Sequence, residues 1–242
     1  MITAKPKRFY KETSVLSTDE GYAVALDGRT VKTPLRRPLV VPVARLAEAC
    51  RAEWAAQGET IEPYTMPLTQ LATTWCDKIA EDRSVIVEQL LRFAETDLLY
   101  YRATEPQELV LLEQAARQPL LDWAEAHYGV PFIVTAGVIP VEQSGETLRR
   151  LTDALNALDS LVFTAVQSAT PALGSVILAL ALAEQRLSAE EAYAISQLDE
   201  TYQAELWGED EEASDRRANL KAEVLTVGAF LATLLPEPRK RG

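Results

Sequence analysis

Residues 22–33, YAVALDGRTVKT, consist of two strand-like segments on either side of the dipeptide Asp27-Gly28. Asp-Gly supplies the two positive-φ positions of a type I′ turn, so this stretch predicts a β-hairpin. An earlier strand-like run, residues 9–16, is followed by a turn signal at residues 18–21, and a further short strand at residues 39–41 ends at a proline. The sequence therefore predicts a small sheet in the amino-terminal part of the chain.

The hydrophobic period changes from two to 3.6 residues near Val43 and stays helical for most of the remaining chain. The exception is the β-branched run at residues 131–139, which could join the N-terminal sheet or form a short separate ribbon. The predicted fold class is α+β. A small strand-rich unit with one helix, residues 1–80, is followed by a larger all-helical unit, residues 81–242.

Residues 160–183 carry no charged side chain, which raises the question of a membrane span. Pro171 and Gly174 interrupt this stretch, and the apolar part after Pro171 is about 12 residues, or about 18 Å of helix. A bilayer core is about 30 Å thick, so no membrane span is expected. The stretch instead predicts a buried helix at about residues 172–186, in the centre of the helical unit.

The charge of the chain is negative overall and unevenly placed. Lys and Arg total 24 against 36 Asp and Glu, a net charge of -12, so no nucleic-acid partner is expected. Residues 1–45 carry a net charge of +5, which leaves -17 for the rest. The basic side chains at this end are Lys5, Lys7, Arg8, Lys11, Arg29, Lys32, Arg36 and Arg37. They either protect a sheet edge from pairing or face an anionic partner.

The patterns of common catalytic and cofactor sites are missing from the sequence. No two glycines are spaced as in phosphate-binding loops and none precedes a lysine, so no nucleotide is expected. His127 is the single histidine and fits a helix end, which leaves no two-His metal site, and no cofactor is expected. Cys50 and Cys76 are interpreted as core thiols. We expect a protein without catalytic residues and keep a hydrolase that uses an acidic pair as the weaker alternative.

The segment 199–215 carries eight acidic residues and no basic one. The carboxylates after Gly208 fit the start of a last helix, at about residues 209–235, where the helix dipole favours them. Those in the preceding helix, at about residues 188–207, have no such explanation, because they lie in its middle and at its end.

In that preceding helix the spacing of seven puts Tyr193, Glu200 and Trp207 on the side opposite the apolar stripe, which includes Leu206. Two aromatic side chains around a carboxylate are typical of a protein interface. Glu205 adds weight, because a carboxylate in the last turn opposes the helix dipole. These four residues are the predicted partner-binding site. The alternative is that the helix is central and packs against neighbours on both sides.

Several short motifs, in order along nearly the whole chain, resemble one family, the ATP synthase assembly chaperones often called the Atp-twelve family. In the N-terminal part these are residues 8–10 (RFY), 21–34, 53–58 (EWAAQG) and 65–69 (TMPLT). Further along they are residues 95–102 (ETDLLYYR), 119–123 (PLLDW), 180–184 (LALAE), 198–200 (LDE) and 207–210 (WGED). A departure is Trp75-Cys76, where smaller or aliphatic residues are expected, and it leaves the local packing open.

The resemblance implies a chaperone that binds the unassembled alpha subunit of the synthase's soluble catalytic head. It would shield the subunit-facing surface of alpha until a beta subunit replaces it, without catalytic residues. The chain begins almost directly at Arg8-Phe9-Tyr10, which favours a bacterial, cytoplasmic member, where organellar relatives lie in the mitochondrial matrix. A generic helical adaptor with another partner is the main competing hypothesis.

Overall fold

The computed structural model describes residues 6–137 and 139–236. The chain forms two compact units. One contains the residues up to Asp82 together with those from Ala229 onward, and the other is Arg83–Gly228. The carboxy-terminal segment of the first unit was not part of the predicted N-terminal domain. Lys5, one of the predicted basic residues, lies outside the described residues.

The first unit is built on a four-stranded sheet with β2 in its centre. Strand β1 pairs antiparallel with one side of β2, and strands β3 and β4 pair with the other side. The bounds are β1 Thr13–Thr18, β2 Gly21–Leu26, β3 Arg29–Thr30 and β4 Val40–Val41. The predicted hairpin is confirmed, because Asp27 and Gly28 have φ angles of 47° and 76° between β2 and β3.

Two helices follow the sheet and contribute to the core of this unit. Helix α1 (Ala44–Ala55) packs on β1 and β2 and buries Leu46, Ala47 and the free thiol of Cys50. Helix α2 (Pro67–Thr74) begins at a proline, and Glu53 of α1 caps it, accepting hydrogen bonds from the backbone N–H of Leu68 at 2.8 Å and of Thr69 at 2.7 Å. Two orphan N–H groups of α2 are thereby satisfied from a neighbouring helix.

A π-helical turn, Trp75–Ile79, follows α2 and contains the Trp75-Cys76 pair that departs from the family pattern. Its Asp77 is buried and accepts hydrogen bonds from the Thr33 hydroxyl at 2.6 Å and the Leu35 backbone N–H at 3.1 Å. Single π turns occur inside helices where a side chain must be re-aimed. Here the turn directs a carboxylate to the loop between β3 and β4, which holds that loop on the helix.

The second unit is helical apart from one short ribbon. Its helices are α4 Gln107–Tyr128, α5 Gly145–Ala157, α6 Ser160–Leu173, α7 Val176–Ala183, α8 Ala189–Ser196 and α9 Leu198–Trp207. Helices α3 (Ala80–Glu95) and α10 (Glu211–Leu234) belong to it in part. Strand β5 (Tyr101–Arg102) pairs in parallel with β6 (Thr135–Ala136). The β-branched run therefore forms a separate ribbon and does not join the N-terminal sheet.

Helix α7 is the centre of the second unit and packs against α4, α6 and α8. Residues 176–182 are each at most 4% exposed, which confirms the predicted burial of the uncharged stretch. The predicted break at Pro171 is wrong. Pro171 lies inside α6, and the chain turns at Gly174, whose φ is 63°. Among the described residues no helix combines the length and apolar character that a membrane span requires.

The start of α7 is held by Asp97, a fully buried carboxylate in the ETDLL motif. It accepts hydrogen bonds from the backbone N–H of Leu99 at 3.0 Å and of Ile177 at 3.1 Å. Burial raises its pKa to about 6, against the lowering effect of these hydrogen bonds and of Ser175. Asp97 thus joins two segments that are far apart in sequence. With a small strand-rich unit and a larger helical one, the predicted α+β class is confirmed.

Candidate functional site

The candidate site lies on α9, whose last turn exposes two large apolar side chains of a kind that is usually buried in a protein interior. Trp207 is 78% exposed and Leu206 is 55% exposed, Glu205 is exposed in the same turn, and Glu200 is exposed in the first turn of α9. No residue of α9 is buried. We call these four residues the α9 surface. Exposed aromatic and aliphatic side chains next to carboxylates are typical of a surface that another protein covers.

Tyr193 does not lie on this surface, so its predicted place beside Glu200 and Trp207 is wrong. The predicted single helix is broken at Gln197, whose φ and ψ of -108° and 21° separate α8 from α9. A spacing of seven therefore no longer aligns side chains across the break. The half-buried Tyr193 packs against α10, where its hydroxyl donates to the Arg217 carbonyl at 3.0 Å and the Lys221 ammonium lies 5.9 Å from its ring centre.

Leu206 is the second correction in this segment, because the helical period placed it on the side that faces the core. The Tyr202 side chain, one turn earlier, is half-buried, with its hydroxyl 3.4 Å from the Glu108 carboxylate of α4. The apolar stripe is thus covered at Tyr202 and open at Leu206. The end of α9 consequently offers two adjacent apolar side chains, where the sequence predicted one.

A groove of about 250 Å³ runs between α9 and the start of α10 and includes Glu200, Gln203 and Arg216 in its walls. Arg217, at its base, pairs with Glu209 at 3.0 Å and donates to the Thr201 hydroxyl at 2.8 Å. The Arg217 guanidinium is therefore already engaged, whereas Glu200 is exposed.

The turn into α10 explains part of the acidic segment, as the sequence predicted. The Asp210 side chain accepts a hydrogen bond from the backbone N–H of Ala213 at 2.7 Å, at the start of α10. Glu209 forms an ion pair with Arg217. Carboxylates at these positions stabilise the helix start. The break before α9 places Glu200 in the first turn of that helix, where the dipole also favours a carboxylate, so of the two only Glu205, in the last turn, has no such local function.

A buried ion network that the sequence analysis missed fixes the first turn of α9. Arg117 of α4 is 1% exposed and donates to Glu113 at 2.7 Å and to Asp199 at 3.0 Å. Glu113 is 2% exposed and also accepts from the backbone N–H of Ala103 at 2.5 Å. Burial raises the pKa of Glu113, although Arg117 and the Ala103 N–H lower it. A buried charge is held in place by its partners, so Asp199 and the adjacent Glu200 have a fixed position.

The signals for this network were weak in the sequence. Glu113 and Arg117 are four residues apart on one helix, a spacing that usually marks an exposed pair. Asp199 lies 82 residues further along the chain, and nothing local indicates that it points inward. Among the described residues no group of three or more His, Cys, Asp and Glu side chains could hold a metal ion.

Comparisons with known proteins agree with this architecture. A family model described as ATP12 chaperone protein matches residues 7–125. The mitochondrial protein atp12 of Schizosaccharomyces pombe is 29% identical over 221 residues, which cover 86% of this chain and 76% of that protein.

Two solved bacterial structures are similar over almost the whole chain. Atp12 of Paracoccus denitrificans is 36% identical with a TM-score of 0.90, covering 95% of this chain and 99% of that one. The Atu1473 protein of Agrobacterium tumefaciens is 40% identical with a TM-score of 0.88, covering 95% and 87%. The chain therefore belongs to the ATP12 family and is a chaperone of ATP synthase assembly.

Proposed function

We propose that this protein binds the unassembled alpha subunit of the catalytic head through the α9 surface and shields it until a beta subunit takes its place. The observation that carries the proposal is the 78% exposure of Trp207 beside Leu206 at the end of a helix. Membership of the ATP12 family supports a synthase subunit as the partner. An alpha subunit that awaits assembly exposes apolar surface that an aromatic side chain can cover.

The chemistry of the α9 surface suits a reversible partner that must be recognised correctly. Trp207 offers a large contact area and loses little conformational entropy when it binds, because its side chain has two rotatable bonds. Glu200 and Glu205 can pair with Arg or Lys of the partner, and a partner without these cations would leave a desolvated charge. Apolar burial supplies affinity in this arrangement, and the carboxylates supply selectivity.

The protein is proposed to act without catalysis and without nucleotide. The two most deeply buried carboxyl groups with a raised pKa, Asp97 and Glu113, accept hydrogen bonds from backbone N–H groups. Their oxygens hold helix and strand ends together, and a general acid must instead reach a substrate. The hydrolase hypothesis therefore receives no support from these groups. The proposed location is a bacterial cytoplasm, because the two solved relatives are bacterial proteins.

The test measures binding of isolated alpha subunit by titration calorimetry, together with thermal unfolding of each variant. Trp207→Ala should weaken binding by about 2 kcal/mol, or about 30-fold, and leave the unfolding temperature unchanged. Glu200→Lys should also weaken binding and should cost less than about 1 kcal/mol of stability, because an exposed helical position tolerates Lys although a cation in the first turn of α9 opposes the helix dipole.

Two matched controls separate the α9 surface from general surface effects. Ile139→Ala removes another exposed apolar side chain, which is 71% exposed. Glu88→Lys makes the same charge change as Glu200→Lys at an exposed position of α3. Both should bind alpha subunit like the unmodified protein. Full binding by Trp207→Ala and Glu200→Lys would exclude the α9 surface. Failure of the unmodified protein to bind alpha subunit, with capture of a different protein from a lysate, would favour the generic adaptor.

A further inference from the structure

The first unit contains a second concave surface, which the alpha-subunit proposal does not use. It is a half-open groove of about 680 Å³ beside strand β3. Its walls include the aromatic rings of Phe9, Tyr10 and Trp54, and Arg29 and Lys32 lie on it as well. We call it the β3 groove.

The aromatic wall of the β3 groove is held in place by contacts inside the unit. The rings of Phe9 and Tyr10 meet edge to face at 5.4 Å, and those of Tyr10 and Trp54 at 5.8 Å. The Tyr10 hydroxyl donates to the Trp54 carbonyl at 2.7 Å, and the guanidinium of Arg8 lies 4.6 Å from the Tyr10 ring centre. Phe9 nevertheless stays 73% exposed. A fixed aromatic wall with an open outer ring is suited to receive an apolar side chain.

The cationic side chains of the β3 groove are complementary to an anionic group of a ligand. The indole N–H of Trp54 is buried and has no hydrogen-bond partner among the described residues. The Trp54 ring is part of the groove wall, so a ligand that enters the groove changes the surroundings of this buried N–H. Arg29 and Lys32 are exposed, which leaves their charges available.

The acidic side chain among the described walls of the groove, Asp27, interacts with the charge of Arg29 and offsets part of it. Its carboxylate accepts hydrogen bonds from the backbone N–H of Lys11 at 3.0 Å and of Glu12 at 2.8 Å, and these bonds lower its pKa. The groove thus presents the exposed ammonium of Lys32 and the guanidinium of Arg29, whose charge Asp27 offsets only in part, within a segment whose net charge is +5. That pattern is complementary to a carboxylate.

The position of the groove favours an extended chain as its occupant. Strand β3 is an edge strand, because no strand of the described residues pairs with it on the side away from β2. Peptides bind at such edges in an extended form, with alternate side chains in neighbouring pockets. We infer that the β3 groove binds an extended peptide segment in which an Asp or Glu stands next to an aromatic or aliphatic residue.

This inference also decides between the two explanations of the basic N-terminal residues. If Arg29 and Lys32 only protect the sheet edge, charge repulsion is their whole function and no acidic peptide should bind with selectivity. The inference does not rest on the alpha-subunit proposal, because the α9 surface belongs to the other unit. Trp207→Ala should accordingly leave peptide binding unchanged.

The probes are fluorescein-labelled, amidated nonapeptides in which Asp or Glu flanks a central Phe or Leu, each paired with its Asn or Gln counterpart. Fluorescence polarisation with the full-length protein should show binding of acidic peptides and at least tenfold weaker binding of the neutral ones. Added salt should weaken the acidic peptides only, since screening affects charge pairs. The indole N–H resonance of Trp54, assigned by its loss in Trp54→Phe, should shift when peptide binds.

Two variants and one control complete the test. The double variant Arg29→Glu with Lys32→Glu should lose at least tenfold in affinity, whereas Lys7→Glu with Lys11→Glu makes the same charge change outside the groove and should lose much less. Phe9→Ala should weaken binding without lowering the unfolding temperature, because Phe9 is mostly exposed. The inference is overturned if no acidic peptide binds at about 1 mM, if neutral peptides bind equally well, or if both double variants behave alike.

Discussion

Replacing Arg117 with Met removes the cation that holds Glu113 in the interior of the second unit. Both side chains are almost fully buried, at 1% and 2% exposure. Removing one partner of a buried ion pair costs about 3–5 kcal/mol, because the other charge is left without compensation. Domains of this size are stable by about 5–15 kcal/mol, so the loss is a large fraction of the total. Arg149→Met, at an exposed pair with Glu146, should cost less than about 1 kcal/mol.

The pH dependence of the stability loss in Arg117→Met is a more specific test than the size of that loss. Burial already raises the pKa of Glu113 in the intact protein, and losing the nearby cation raises it further. The folded variant then binds a proton at a pH where the unfolded chain does not, so its stability increases as the pH falls towards the ordinary Glu value of about 4.3. The loss relative to the intact protein should therefore be larger at about pH 7.5 than at about pH 5.5.

Urea unfolding of Arg117→Met at the two pH values measures both effects. The double variant Arg117→Met with Glu113→Gln should recover much of the stability and lose the added pH dependence, since no buried charge is left. Binding of alpha subunit should also weaken in Arg117→Met, because Asp199 loses its donor and the start of α9 is no longer fixed. A loss below about 1 kcal/mol at neutral pH, or a loss that grows as the pH falls, would refute the reasoning.

Three further substitutions test the fold. Gly21→Ala should lower the free energy of unfolding in urea by about 3 kcal/mol or more, because at a φ of 139° an added Cβ lies 2.5 Å from the Val41 carbonyl oxygen. At Gly28 an added Cβ meets no atom within 4 Å, so Gly28→Ala should cost only about 1 kcal/mol. Equal losses would contradict this account. Asp97→Asn should remove part of the pH dependence of stability. The raised pKa of Asp97, about 6, makes the intact protein less stable as the pH rises from about 4 to 6. If the free energy of unfolding of the variant falls with pH as steeply as before, Asp97 is not the source.

The predictions from sequence succeeded where a structure is decided by neighbouring residues. The turn at Asp27-Gly28 follows from two residues that tolerate positive φ, and the sheet around it from alternating side chains. The burial of α7 follows from eight consecutive uncharged apolar residues, Val176–Ala183, which no exposed helix would carry. In both cases the local pattern excludes the alternatives without any knowledge of the tertiary contacts.

Two errors came from assuming that a local pattern continues. The helical period runs unbroken through residues 188–207, yet the chain bends at Gln197, and that bend puts Tyr193 against α10. Pro171 was expected to break a helix and instead lies within α6, where the break follows at Gly174. A helix ends where tertiary packing makes the end favourable, and intrinsic propensity is a weaker influence.

The ion network around Arg117 could not be predicted from sequence, and the candidate site depends on it. An Arg that pairs with a residue 82 positions away leaves no periodic signal in either segment. Sequence reasoning predicted that Glu200 and Trp207 are exposed, and they are, because large or charged residues opposite an apolar stripe are visible in the sequence. It could not find the buried support that determines where those residues point.

The two proposed surfaces differ in a way that follows from the distribution of charge. The α9 surface combines apolar side chains with carboxylates in the part of the chain that carries -17, and the β3 groove combines aromatic rings with cations in the part that carries +5. A basic patch of a partner would be attracted to the first surface and repelled by the second, and an acidic segment would show the reverse. If both proposals are right, one partner segment cannot satisfy both surfaces, and the two surfaces recognise different segments of one subunit or of two.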